Sequence, residues 1–262
     1  MSWDRTIGRV SFINCEPLFY GLDDSWRVLP APPSWLTGHL LRRDCILAPI
    51  PAADYAKNSR DLVLVPDLSI SSKGEVGSVL LFGPPSIKDM KSIALPSDSA
   101  TSVALLKFLI QKRNLNPSYT EMGPDLEGML NACDGCLLIG DRALEASRDF
   151  PELVRMDLGA EWNAVSGHPM VFGVFAARKD SDIESVKIAH AALLERLVDF
   201  ENSSNVRNDV INISSRKSSQ TIERLQRYFG EVINRMDPED MKGLQQFLKL
   251  ACDMEQDPVM AW

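Results

Sequence analysis

Arg9-Val-Ser-Phe-Ile-Asn-Cys-Glu-Pro-Leu-Phe-Tyr-Gly-Leu22 decides how the chain is read, because a β-branched and aromatic run stops at Asn14 and a short apolar helix follows. The pattern puts a polar side chain and free backbone N–H groups at the carboxyl end of a strand. Open α/β sheets collect ligands there, since strand ends form a crevice and the next helix turns its positive end toward an anion. Asn14 is the expected N-cap and Pro17 suits the first turn. A plain cap with no ligand is the competing reading.

Outward from this stretch, short strands (9–13, 27–30, 45–48, 62–65) alternate with short helices (18–22, 34–43, 52–58), the rhythm of parallel α/β construction. A strand at 77–82 closes on Gly83-Pro-Pro-Ser86. A second series then runs through a strand at 92–96, the polar turn Ser97-Asp-Ser-Ala-Thr-Ser102, a periodic helix at 103–112, a strand at 118–121, a helix at 125–132, a strand at 136–139 and a helix opening at Gly140-Asp141. The apolar strand 170–177 returns the chain, and from Ile183 the pattern is helical, with amphipathic segments at 184–202, 218–234 and 238–254. The expected fold is α/β with two lobes and a cleft between them. Lobe I would hold residues 1–87 and 174–262, including a helical C-terminal tail, and lobe II residues 88–173, with crossings near 82–91 and 171–177. Apolar stripes in the tail, such as Leu225, Phe229 and Val232, read as core.

A net charge of -8, from 28 basic and 36 acidic residues, argues against a sequence-independent nucleic-acid surface, although a pocket can be locally positive on an acidic protein. There is no apolar run long enough to cross a bilayer, and the N-terminus lacks the basic-then-apolar pattern of an export signal, so no membrane partner and a cytoplasmic location are expected. Five cysteines, an odd number, fit a reducing compartment. Cys133-Asp-Gly-Cys136 has redox or zinc spacing, but no second pair completes a zinc site, and both cysteines read as small buried hydrophobes. The oligomeric state is left open, with a homodimer among the options.

Polar groups gather at the strand ends. Ser99, Thr101 and Ser102 supply more hydroxyls than one helix cap uses, as in sites that hold a carboxylate or phosphate. Ser78 opens a strand, and Gly140 and Asp141 open a helix at the same expected cleft edge, with Asp141 read most simply as a cap. His168, in Val165-Ser-Gly-His-Pro-Met170, lies in a loop before a returning strand, and histidine is a residue type that handles protons in many sites. There is no nucleophile elbow, no Gly-x-Gly-x-x-Gly turn and no phosphate-loop lysine, which argues against acyl transfer, nucleotide binding and phosphoryl transfer. A preorganised polar cleft for a carboxylated small molecule remains.

Five ordered motifs, Arg9-Val-Ser-Phe-Ile-Asn14-x-x-Pro17-Leu-x-Tyr-Gly21, Ser78-Val-Leu-Leu, Ser99-x-Thr-Ser102-Val-Ala-Leu-Leu, Leu138-Ile-Gly-Asp141-x-Ala-Leu and Asp157-Leu-Gly-x-Glu-Trp162 with Gly167-x-Pro-x-Val-Phe172, together resemble the chorismate dehydratases of menaquinone biosynthesis by the futalosine route. The resemblance implies a type-II periplasmic binding-protein fold used as an enzyme, no metal or redox cofactor, and loss of water from chorismate, a dicarboxylate, to give 3-[(1-carboxyvinyl)oxy]benzoate. It also implies that Asn14 and Ser78 are catalytic, orienting ring substituents and hydrogen-bonding the leaving hydroxyl. Ser99, Thr101, Ser102, Gly140, Asp141 and His168 would bind substrate. The family pattern often carries a basic residue beside the serine at 99, where this chain has Ala100, and Arg142 is the candidate replacement. No general base stands out among Glu16, Asp141 and His168, so the substrate's own enolpyruvyl carboxylate is the expected base. The alternatives are a small-acid-binding protein of the same fold without chemistry, or the sister enzyme of the pathway that forms the cyclic dehypoxanthine futalosine. A pure interaction module fits least, because the motifs are polar strand ends.

Overall fold

A computed structural model describes residues 3–262; Met1 and Ser2, which begin the stretch read above for an export signal, lie outside the described residues. The chain opens with β1 (Thr6–Val10), a 3-10 turn at Ile13–Cys15, α1 (Glu16–Phe19), β2 (Arg27–Ala31), α2 (Pro33–Leu41), β3 (Ala48–Pro51), α3 (Ala52–Asn58) and β4 (Leu62–Ser72). The middle third comprises β5 (Val79–Phe82), β6 (Ser92–Pro96), α4 (Ala100–Lys112), β7 (Ser118–Met122), α5 (Leu126–Ala132), β8 (Gly135–Ile139), α6 (Gly140–Asp149), β9 (Val154–Asp157) and α7 (Leu158–Ser166). It ends with β10 (Met170–Arg178), α8 (Ile183–Asn202), α9 (Ser204–Ser218), α10 (Ile222–Glu231), β11 (Ile233–Arg235) and α11 (Pro238–Cys252). No helix is long and apolar enough to cross a membrane among the described residues.

Two sheets carry the two lobes. In the first, β1 and β2 run parallel, β1 joins the chain at Leu47 through the 2.8 Å bond from Gly8 N–H to Leu47 C=O, and the sheet continues in the order β3, β10, β4, β11 with antiparallel pairing. The second has the order β7, β6, β8, β5, β9. There the parallel rhythm holds for β6, β7 and β8, whereas β5 and β9 are antiparallel. Parallel construction is thus confined to the strands joined by helical crossovers. In this sheet β5, which follows the outward crossing, runs the other way, while β9, antiparallel to β5, points the same way as β6, β7 and β8.

The boundary expected at residues 87 and 88 is displaced. Val79 pairs with Ile139 and Leu80 with Asp157, so β5 belongs to the second sheet and the outward crossing is residues 73–78. Met170 pairs with Ser72, so β10 is in the first sheet from its first residue and the return crossing is residues 167–169, not 171–177. The apolar run 79–82 is buried on both faces and so carries no alternation to tell which sheet it joins.

Two further expectations give way to tertiary pairing. Residues 218–234 are not one helix, because Ile233 pairs with Ser71 and the segment ends as β11. The stretch 154–166, read only as a motif, forms β9 and α7. Its motif residues are mostly structural. Asp157 caps α7 by accepting from Ala160 N–H at 3.0 Å and also accepts from Val76 N–H at 3.1 Å and Gly77 N–H at 2.8 Å. Trp162 is fully buried, donates to Pro169 C=O at 3.0 Å, and packs against Phe108 of α4 and Phe247 of α11, with centroids 5.9 and 5.8 Å away. Asp157→Ala removes one helix cap and orphans two further amides, and should cost about 2–4 kcal/mol of stability, read by urea unfolding.

The cysteines behave as small hydrophobes. Cys133 and Cys136 are buried and unbridged, and burial pushes the Cys136 thiol up to about 12.

Candidate active site

The first lobe offers backbone N–H groups at the starts of three turns, and the second lobe accepts them. Ser34 N–H, in the first turn of α2, donates to Asp98 C=O at 3.3 Å. Ala53 N–H, in the first turn of α3, donates to Thr101 Oγ1 at 3.1 Å. Ile13 N–H, at the 3-10 turn, donates to the Asp141 carboxylate at 3.1 and 3.3 Å. Helix starts leave such donors unpaired within their own helices, so each lobe completes the other.

Between them lies a cleft lined by Asn14 and Phe12 from the first lobe, Ser78 from the crossing, and Ser99, Thr101, Ser102 and Gly140 from the second. Ile50, Ile70, Val79, Ile139 and Phe172 form its apolar walls, and its lining includes no Asp, Glu, His, Lys or Arg. The structure therefore gathers six of the eight residues singled out in the sequence.

Asn14 reaches this cleft by a route other than the one expected. The strand ends at Val10 rather than at residue 13, and Asn14 sits in the middle of the 3-10 turn, while Cys15 is the residue that precedes α1. Asn14 is thus not a helix cap. Its carboxamide oxygen is buried with no hydrogen-bond partner. On the cleft lining, an acceptor that no protein group engages is free to bond a guest.

Ser99 is the N-cap of α4 with extended backbone, yet its side chain makes no cap bond, so the hydroxyl is left to the cleft. Ser102 lies one turn in, also on the lining, and the first turn of α4 has no acidic residue to repel an anion. Thr101 serves both lobes, because its oxygen accepts from Ala53 N–H while its proton stays available. Ser78 Oγ donates to Val76 C=O at 3.4 Å and accepts from Tyr228 OH at 3.1 Å.

Gly140 contributes space. Its N–H donates to Ser78 C=O at 2.7 Å, its φ is +60°, and a Cβ there would stand 2.5 Å from the Phe12 ring. Only glycine lets this helix start approach Phe12 so closely in a left-handed conformation.

Three expected roles change. Asp141 neither lines the cleft nor caps α6; its carboxylate is the acceptor that ties the 3-10 turn to the second lobe. Burial pushes its carboxyl up to about 6, offset by the Ile13 N–H bond; Glu16 raises it further, and Arg142 and Arg9 lower it. His168 is absent from the lining and packs its Cβ beside Gly243 of α11, because the loop carrying it turns toward the tail. Arg142 does not replace the basic residue missing at position 100. It pairs with Asp98 and lies 5.5 Å over the Phe12 ring.

Sequence reading missed the tail's share. Val232 lines the cleft and Tyr228 touches Ser78, although the helix carrying Tyr228 reads as an ordinary amphipathic core helix. A phenol placed among the apolar positions of that stripe was the one available signal, since buried tyrosines usually find a partner for their hydroxyl.

Two lobes closing on a polar cleft define a protein of the periplasmic binding-protein fold. The fold is shared with protein AF1704 from Archaeoglobus fulgidus (TM-score 0.75, 18% identity, covering 94% of this chain and 96% of that one) and with the Candida albicans CA3427 gene product, described as exhibiting the generic periplasmic binding protein structural fold (TM-score 0.68, 13% identity, covering 96% and 90%). Within that fold, the family model described as menaquinone biosynthesis matches residues 5–253, and the chain belongs to this family. It is also 35% identical over 191 residues to the chorismate dehydratase of Thermus thermophilus, covering 67% of this chain and 70% of that protein.

Proposed function

We propose that this chain is a chorismate dehydratase that removes water from chorismate to give 3-[(1-carboxyvinyl)oxy]benzoate in menaquinone biosynthesis, by the futalosine route and in the cytoplasm. The observation that carries this reading is the convergence of Asn14, Ser78, Ser99 and Ser102 from both lobes on one cleft, in a chain of this family. The chemistry asks little of the protein. The cyclohexadiene ring becomes aromatic once a ring proton and the neighbouring hydroxyl depart, so the site must hold two carboxylates, orient the ring and stabilise the leaving oxygen.

The start of α4, with the hydroxyls of Ser99, Thr101 and Ser102, is suited to one carboxylate through helix-end amides and O–H donors rather than a cation. Asn14 and Ser78 are placed to hydrogen-bond the ring substituents and the departing hydroxyl. The lining has no ionisable side chain, and each protein base considered in the sequence is engaged or remote. Glu16 is paired with Arg9 and Lys217, Asp141 is bonded to Ile13 N–H, and His168 lies outside the lining. This supports proton removal by the substrate's own enolpyruvyl carboxylate, which passes that proton to the departing hydroxide so that water leaves and the carboxylate is regenerated.

Incubating the purified protein with chorismate tests the reading. An aromatic product lighter than chorismate by one water is expected; chorismate recovered unchanged rejects it, and in that case tight chorismate binding would favour a binding protein without chemistry.

Asp141 adds a pH signature. Its ionised form makes a charge-assisted bond to Ile13 N–H, so kcat/KM should fall as pH drops below about 6, and Asp141→Asn, a neutral isostere of the protonated carboxyl, should hold the lowered value at every pH and so flatten that limb. Stability should move the opposite way. The folded carboxyl binds its proton more tightly than at its ordinary value of 3.8, so its contribution is greatest below about pH 4 and is lost as pH rises through 6. Paired activity profiles and melting curves of wild type and Asp141→Asn check both directions.

A further inference from the structure

The helical tail reaches the candidate site through a hydrogen bond to one of its lining side chains. Tyr228, fully buried on α10, donates its phenolic proton to Ser78 Oγ at 3.1 Å. Its ring is held on two sides, with Phe229 at a centroid distance of 5.7 Å and the Arg224 guanidinium 5.5 Å from the ring centre. Arg224 is in turn paired with Glu231 at 2.8 Å. That pair lies directly against the crossing segment: at Gly77, whose φ is +66°, a Cβ would meet Arg224 Nη2 at 2.3 Å and Glu231 Oε2 at 2.4 Å. On the other side, Asp157 holds the N–H groups of Val76 and Gly77. The backbone leading into Ser78 is thus clamped between α10 and the start of α7.

The hydroxyl itself is polarised in one direction. Ser78 Oγ accepts a hydrogen bond from Tyr228 OH, while its own O–H has only a long, 3.4 Å bond to Val76 C=O. A hydroxyl that already accepts a bond is a better donor, because successive hydrogen bonds polarise one another, and a weakly held proton is easily redirected. Burial raises the Tyr228 pKa, so the phenol keeps its proton and stays a donor across the working range.

We propose that Tyr228 is a positioning residue that turns Ser78 into the hydrogen-bond donor to the departing hydroxyl of the substrate. This rests on the dehydratase reading and adds a residue outside the cleft lining. On binding, the Ser78 proton swings from Val76 C=O to the leaving oxygen while Tyr228 OH continues to fill a lone pair of Oγ. No bond in the protein is made or broken beyond this exchange of hydrogen bonds.

Tyr228→Phe removes one oxygen and keeps the ring. Its kcat on chorismate should fall about tenfold with KM changed less than about twofold, the effect of losing roughly one hydrogen bond felt in the transition state. Introduced into Ser78→Ala, the same change should produce no further loss, since the group it orients is gone. Melting curves of all four proteins report whether the fold is intact. If Tyr228→Phe leaves kcat untouched, or lowers it equally in both backgrounds, the inference is overturned while the dehydratase reading stands. A wild type inert toward chorismate removes that reading, and the inference with it.

Discussion

Asn14→Ala is expected to lower kcat on chorismate by about 10²–10³-fold, the usual cost of deleting one donor or acceptor aimed at charge that develops in the transition state. Its stability should be unchanged or slightly higher, because the carboxamide oxygen lost in the variant is buried without a partner and contributes nothing to the fold in the absence of a guest. That opposition separates a site residue from a structural one. A structural asparagine would lose stability first and activity only as a consequence. Steady-state kinetics with chorismate, alongside thermal unfolding, decide between these outcomes, and an active Asn14→Ala enzyme would remove the residue from the mechanism.

Gly140→Ala should be nearly as damaging, through geometry alone. The position is left-handed, which costs an L-residue roughly 1–2 kcal/mol, and the added carbon would lie 2.5–2.7 Å from three atoms of the Phe12 ring. An aromatic ring cannot bend out of such a contact. Either the lobes part or Phe12 rotates, and Phe12 is two residues from Asn14 on the same turn. A displacement of about 1 Å at a reacting group is worth about 10²-fold in rate, so kcat/KM should fall by that order. Since Gly140 N–H already bonds Ser78 C=O, the same strain also reaches the second proposed catalytic residue. A crystal structure of the variant should show a wider cleft or a rotated Phe12; an unshifted Phe12 with full activity would contradict the argument.

The two changes also differ in what they say about anion binding. With no cation on the cleft lining, the negative charges of the substrate must be met by amides and hydroxyls, which act only at short range and in fixed directions. Small displacements therefore matter more here than they would around a lysine. Arg9, Lys217 and Arg142 are close in sequence or space to the site residues, but each is paired with an acid, Glu16 or Asp98.

Local chemistry was enough to determine that this chain alternates strands and helices and that its polar groups gather where strands end, whereas the grouping of Asn14, Ser78, Ser99 and Ser102 in one expected site came from five ordered motifs that resemble a known family. Each of these is written in a few consecutive residues: a β-branched run that stops, a hydroxyl-rich turn, a glycine at a helix start. The tertiary structure alone decided which sheet receives the strand at 79–82, because a run buried on both faces has no periodicity pointing to its neighbours. It also decided what Asp141 and Tyr228 do. A carboxylate at a helix start reads as a cap and a tyrosine in an amphipathic stripe reads as core. Their real partners, Ile13 N–H and Ser78 Oγ, lie 128 and 150 residues away along the chain and become neighbours only when the two lobes and the tail pack together.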